Sequence, residues 1–131
     1  MIAEVLSKLP KHAVPDGIRA AIDRMEAEHG DIRIAALVTA LNLSERQFRA
    51  DFTSLVGLSP KAFCKAIQVN RAFNRLLFSN GGDLADVAAK SGFSDQAHFT
   101  RAFSKFLGDA PKTYLENVEA TLERFVGQSR P

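Results

Sequence analysis

The 131-residue sequence predicts an all-α protein of about seven helices. Three observations predict it. No segment alternates apolar and polar residues with the period of two that a half-buried strand needs. Apolar residues recur instead at spacings of three and four, the signature of one helix face. Helix start and stop signals separate these runs, with Ser, Asp or Pro before them and Gly or Asn after.

The elements follow in order. Residues 2–9 allow a short helix. Pro15 stands at a first helical position, and Ile18, Ala21, Ile22 and Met25 give one face up to His29-Gly30. The run from Ile32 to Leu41 carries Ile34, Leu37, Val38 and Leu41 on one side. Asn42 ends it, because Asn tolerates the left-handed conformation that follows many helices. Ser44 with Gln47 three residues on is the capping-box pattern, and Phe48, Phe52 and Leu55 form the next stripe before Gly57 stops it. Ser59-Pro60 opens a long helix to about Ser79, ended by Asn80-Gly81-Gly82. Asp83 caps a short helix to about Lys90, with Asp86 a favourable charge in its first turn. Gly92 stops it. Ser94 opens another helix, with Phe99, Phe103 and Phe106 as its stripe and Gly108 as its end. Pro111 begins the last helix, and the tail from Gly127 is expected to fray.

Composition narrows the function classes. Hydrophobic residues make up 46% and charged residues 24%, which is globular rather than disordered. No apolar run approaches the ~20 residues of a membrane span, and the N-terminus lacks a secretory pattern. Cys64 is the only cysteine, which excludes an internal disulfide framework and a cysteine zinc site and suits a reducing compartment. Residues 1–30 hold four Lys/Arg against five Asp/Glu, residues 31–115 eleven against seven, and residues 116–131 two against three. The middle is mildly basic between mildly acidic ends, which permits a nucleic-acid partner.

One pattern occurs twice. Phe48, Phe52, Gly57, Pro60 and Phe63 are spaced by 4, 5, 3 and 3, and Phe99, Phe103, Gly108, Pro111 and Tyr114 repeat those spacings 51 residues later. A short helix and a tight turn precede each copy. With Ser44 and Ser94 as the caps, the second copy carries one extra residue between cap and first Phe. A short helix, a turn and a second helix form the DNA-binding helix-turn-helix layout. Two lobes of this kind, joined by a long connecting helix, therefore complete the fold class.

With the Phe stripes facing inward, the outer face of the first recognition helix holds Arg46, Arg49, Ala50 and Thr53. That of the second holds Ala97, Thr100, Arg101 and Ser104, with Gln96 at its edge. Arg, Gln and Thr reach base edges and phosphates, and Glu45 and Asp51 fall to the flanks. Lys61 and Lys112 follow the two prolines, where a helix N-terminus beside a Lys suits a phosphate. A connecting helix of ~20 residues is ~30 Å long, close to the ~34 Å between successive major grooves.

The stretch from about Asp31 to Leu115 resembles the DNA-binding domain of AraC/XylS-type transcriptional regulators. The strongest part runs from Gly92 through Phe103, Gly-Phe-Ser-Asp-Gln-Ala-His-Phe-Thr-Arg-Ala-Phe, followed by Gly108 and Pro111-Lys112-Thr113-Tyr114. Leu43 to Phe48, Phe52 and Val56 to Lys61 match the family's first unit. The resemblance implies a seven-helix fold, promoter binding, and control of transcription, usually through RNA polymerase. It implies base contacts from Arg46 and Arg49 in the first recognition helix and from Gln96, His98 and Arg101 in the second. Thr53, Lys61, Thr100, Ser104 and Lys112 remain as contacts to the backbone or groove flank. Two positions depart from the family pattern in the first helix, Ala50 where Arg is common and Asp51 where an apolar residue is usual. Ala110 replaces the usual Ser/Thr before the second Pro.

The organisation read from this is a lead-in over 1–30, a double helix-turn-helix domain over 31–115, and a helix end and tail over 116–131. Lobe 1 covers about 31–59, the connecting helix 60–79 and lobe 2 about 83–115. The flanks are too short for the sensor domain most family members carry, so a cytoplasmic regulator is expected that is either free-standing or the C-terminal piece of a longer protein; residues 1–30 resemble the run-in to such a domain, which favours the piece. No Gly-rich phosphate loop, Ser-His-Asp set or catalytic carboxylate pair is present, so neither enzymatic activity nor a cofactor is expected. His12, His29 and His98 lack metal-ligand spacing, and Cys64 reads as a small buried residue. The alternative is a helix-turn-helix protein-interaction module with weak or no DNA binding, which Ala50 and the low net charge favour. A repair enzyme carrying this domain as an appendage lacks a catalytic cysteine context.

Overall fold

A computed structural model describes residues 14–79 and 82–128, and every regular element among them is helical. The seven helices are α1 (Asp16–Ala27), α2 (Ile34–Ala40), α3 (Glu45–Val56), α4 (Pro60–Phe78), α5 (Leu84–Lys90), α6 (Gln96–Leu107) and α7 (Pro111–Gln128). The short helix expected over residues 2–9 lies outside the described residues, as do Asn80 and Gly81. Two compact units divide the chain between Arg71 and Ala72, within α4.

In the first unit, Ile18, Ala21, Ile22 and Met25 of α1 are buried, as their spacing requires. Pro15 is the N-cap residue rather than the first helical one, with ψ of 144°. The end of α1 is set by bonds from His29 N–H to Glu26 C=O and from Gly30 N–H to Met25 C=O, 3.0 and 2.8 Å. His29 and Gly30 both adopt positive φ, 57° and 77°. Helix α2 starts at Ile34, two residues later than its apolar run, and buries Ile34, Leu37 and Val38. Asn42 has φ of 56°, the left-handed conformation expected of it. Its N–H bonds Thr39 C=O at 3.1 Å and that of Leu43 bonds Val38 C=O at 2.8 Å, the paired bonds that end a helix in a Schellman motif.

The stripe of α3 packs as a ring stack. Phe48 and Phe52 lie 5.5 Å apart, and Phe52 meets Phe63 of α4 edge-on at 5.4 Å. Around them sit Val14, Leu37, Val38 and Cys64. Ser59 caps α4 through its Oγ, which accepts from Ala62 N–H at 3.1 Å. Burial pushes the Cys64 thiol up to about 11, with Lys65 opposing the shift. The thiolate is the nucleophile. Cys64 should therefore be alkylated by iodoacetamide at pH 8 only as fast as the native protein opens; rapid native labelling would show an accessible thiol.

The second unit repeats the arrangement. Asp83 caps α5, its Oδ1 accepting from Ala85 N–H at 3.0 Å. Asp86 pairs with Lys90 at 2.9 Å, one helical turn on. Gly92 (φ 88°) ends α5 with the same Schellman pair, Gly92 N–H to Ala89 C=O and Phe93 N–H to Ala88 C=O. Phe93, Phe99 and Phe103 form a chain of contacting rings, and Phe103 touches both Phe73 and Tyr114. Phe106 is only half-buried, so Phe99 and Phe103 carry the stripe. Helix α7 continues through Gln128, past the Gly127 at which fraying was expected; residues 129–131 lie outside the described residues.

Candidate nucleic-acid interface

Each recognition helix follows a turn and a side-chain cap. In the first unit Ser44 Oγ accepts from Gln47 N–H at 3.4 Å. The reciprocal half of the expected capping box is not made. Gln47 Nε2 turns forward to Asp51 Oδ1 at 2.8 Å, a charge-assisted bond one turn along the same helix. In the second unit the cap is Asp95 rather than Ser94, its Oδ1 accepting from His98 N–H at 2.7 Å. A carboxylate is the stronger acceptor at a helix N-terminus, where it also meets the positive end of the dipole.

With Asp95 as the cap, the extra residue of the second copy lies elsewhere. Ser44 and Asp95 are related by the 51-residue offset, so cap-to-Phe spacing is the same in both units. The insertion lies in the turn, which runs over residues 41–44 in the first unit and 91–95 in the second. Ser94 is the added residue, and its Oγ lies 3.2 Å from His98 Nδ1.

Arg46, Arg49, Ala50 and Thr53 are all exposed on α3. Arg46 bonds no described residue. Arg49 does: its Nη2 and Nε lie 2.8 and 3.2 Å from Glu45 Oε1. The helix wheel put Glu45 on the flank, yet its carboxylate reaches an outer-face arginine. The signal was present, since Glu four residues before Arg is the favourable order for an i,i+4 pair. With Glu45, Arg46, Arg49 and Asp51 together, α3 carries no net charge.

Helix α6 differs. Gln96, Ala97 and Arg101 are exposed, and Thr100 and Ser104 are half-buried. Arg101 bonds no described residue, and with Lys105 it makes α6 cationic, since no carboxylate falls between Gln96 and Leu107. His98 is half-buried with its ring 5.3 Å from that of Phe93, edge to face, so the imidazole is braced against the turn as well as placed on the helix.

The two lysines also differ. Lys61 is exposed beside the Ser59 cap. Lys112 lines an open groove with Asp83, Glu116 and Glu119, surroundings that oppose a phosphate, and Gln96 lines the same groove. Ala110 has no side-chain oxygen to cap α7; its carbonyl accepts from Tyr114 N–H at 2.9 Å. Among the described residues no cluster of His, Cys, Asp and Glu could hold a metal, and no helix is long and apolar enough to cross a membrane.

Known proteins share this arrangement. The helix-turn-helix domain family matches residues 37–117. The transcriptional regulator MtrA of Neisseria gonorrhoeae is 34% identical over 97 residues, 74% of this chain and 31% of that protein. The MmsAB operon regulatory protein of Pseudomonas aeruginosa is 28% identical over 103 residues, 79% of this chain and 33% of that protein. The chain thus spans about a third of the length of these curated relatives. Among solved structures, a probable AraC family transcriptional regulator from Rhodopseudomonas palustris superposes with a TM-score of 0.65 at 28% identity, over 79% of this chain and 97% of that one. The DNA-binding domain of AdpA, solved in complex with a target DNA, superposes with a TM-score of 0.66 at 25% identity, over 82% of this chain and 96% of that one. With both copies of the repeated pattern, Phe48 to Phe63 and Phe99 to Tyr114, inside the matched residues and the same all-α fold in its relatives, the chain belongs to the helix-turn-helix domain family, as an AraC-type domain.

Proposed function

We propose that the protein binds duplex promoter DNA sequence-specifically through its two helix-turn-helix units, in successive major grooves, and so regulates transcription. The observation that carries this reading is the pair of capped helices with outward Arg and Gln side chains, Arg46 on α3 and Gln96 and Arg101 on α6. The DNA complex of the related AdpA domain supports it. Arg46, Arg49, Gln96, His98 and Arg101 are the proposed base contacts, and Thr53, Lys61, Thr100, Ser104 and Lys112 the groove-flank contacts. A cytoplasmic location, contact with RNA polymerase, a sensor domain outside this chain and the lack of enzymatic activity belong to the same proposal.

Sites selected from random DNA, with affinity measured by fluorescence anisotropy across a salt series, test it. Affinity should fall steeply with salt as phosphate contacts release counterions. Two half-sites about one helical turn, ~10 bp, apart are expected. Arg101→Ala should cost ~1–3 kcal/mol and relax preference at one or two base pairs. Lys61→Ala should weaken cognate and random DNA alike, and Lys112→Ala by less, because carboxylates already surround Lys112.

The neutral α3, with Arg49 held by Glu45 and Ala50 in place of an arginine, favours a second reading in which the first unit serves a protein partner. A single short motif altered only by α6 substitutions would favour that reading.

A further inference from the structure

We infer that Glu45 is a specificity-determining residue of the first unit, its carboxylate accepting from an exocyclic base amino group, cytosine N4 or adenine N6, while Arg49 orients and neutralises it. The inference rests on the DNA-binding reading above. It starts from register. The 51-residue offset that aligns the caps also aligns Glu45 with Gln96, each the first residue of its recognition helix. The N-terminal residues of such a helix are the ones that meet base edges. Gln at that position offers a donor and an acceptor to adenine; Glu offers acceptors alone, which suits an amino group and nothing on the phosphate backbone.

The side-chain geometry adds a second argument. Arg49 Nε and Nη2 both go to Glu45 Oε1, and Oε2 bonds no described residue. One oxygen is therefore fixed and the other left with its lone pairs. Both side chains are about half exposed, 47% for Arg49 and 45% for Glu45, so the pair stands on the surface of α3. An unneutralised carboxylate entering the groove would be repelled by phosphates on both strands, and the guanidinium four residues on reduces that repulsion. Helix α6, which has no carboxylate of its own, shows no such pair. Ala50, in the register of Arg101, carries no polar group that competes with the Glu45–Arg49 pair.

The test compares the full chain with its Glu45→Ala and Glu45→Gln variants on selected and random DNA, with circular dichroism to confirm that each variant folds. The wild-type selected site should contain one base pair whose identity depends on Glu45, and whether its base is cytosine or adenine names the amino group. Glu45→Ala should flatten preference at that pair alone. It should also raise affinity for random DNA severalfold and steepen the slope of log K against log salt by about one, as the charge of Arg49 is no longer offset by Glu45. Glu45→Gln should move the preference at that pair toward adenine. A wild type that selects a site, with a folded Glu45→Ala that keeps every base preference, overturns the assignment. So does a Glu45→Ala that weakens all DNA equally, which leaves Glu45 a helix-stabilising role only. A wild type that selects no site overturns the DNA-binding reading itself.

Discussion

Phe103→Ala should lose about 3–5 kcal/mol of stability, the usual cost of emptying a core phenylalanine site. Phe103 is fully buried, with ring centroids 5.7 Å from Phe73, 5.8 Å from Phe99 and 5.6 Å from Tyr114. Those contacts draw on α4, α6 and α7, so one truncation removes the common packing partner of three helices. At ~2–8 °C per kcal/mol across small and mid-sized domains, the midpoint of a thermal melt should fall by at least ~6 °C. Phe78 supplies the contrast within the same chain. It is 89% exposed, and Phe78→Ala should stay within about 0.5 kcal/mol of the parent. Equal melts for the two variants would show that the aromatic cluster is not what holds the second unit.

Gly30→Ala should be comparably damaging, for a different reason. A Cβ on Gly30 would lie 2.4 Å from the carbonyl oxygen of Cys64, on a backbone already at φ of +77°. The obstacle is main chain of α4 rather than the tip of a flexible side chain, so either α4 or the end of α1 must move. Left-handed backbone with a side chain costs ~1–2 kcal/mol and overpacking a further ~1–3, so a total of about 2–5 kcal/mol is expected. Gly57 isolates the first contribution: φ is +87° and no atom lies within 4 Å of its would-be Cβ. Gly57→Ala should therefore lose only ~1–2 kcal/mol. Urea denaturation of both variants checks the difference; equal losses would show that conformation alone, not the approach to Cys64, makes Gly30 necessary.

Much of the fold is legible in the sequence. Element order, the Asn42 turn, the Ser44, Ser59 and Asp83 caps and the paired Phe stripes all depend on residues within about one or two helical turns of each other. Their physics is local: apolar periodicity, a capping oxygen, a tolerated left-handed φ. The outward positions of Arg46, Arg49, Gln96 and Arg101 followed from the same periodicity once the stripes were placed.

Where two local bonds compete, spacing alone does not choose between them. Ser94 and Asp95 are adjacent candidates to cap α6, and the longer turn decides for the carboxylate by placing its Oδ1 2.7 Å from His98 N–H. Gln47 could have closed a capping box or met Asp51, and the helical geometry delivers it to Asp51. Glu45 could have pointed into solvent, yet it lies against Arg49 and changes the face that α3 presents. The sequence by itself determined the helices, the Ser44, Ser59 and Asp83 caps and the 51-residue repeat, because those arise from near neighbours. Only the tertiary structure decided that Gly30 must pass under the Cys64 carbonyl, 34 positions along the chain, because that approach exists only once the turn after α1 meets the first turns of α4.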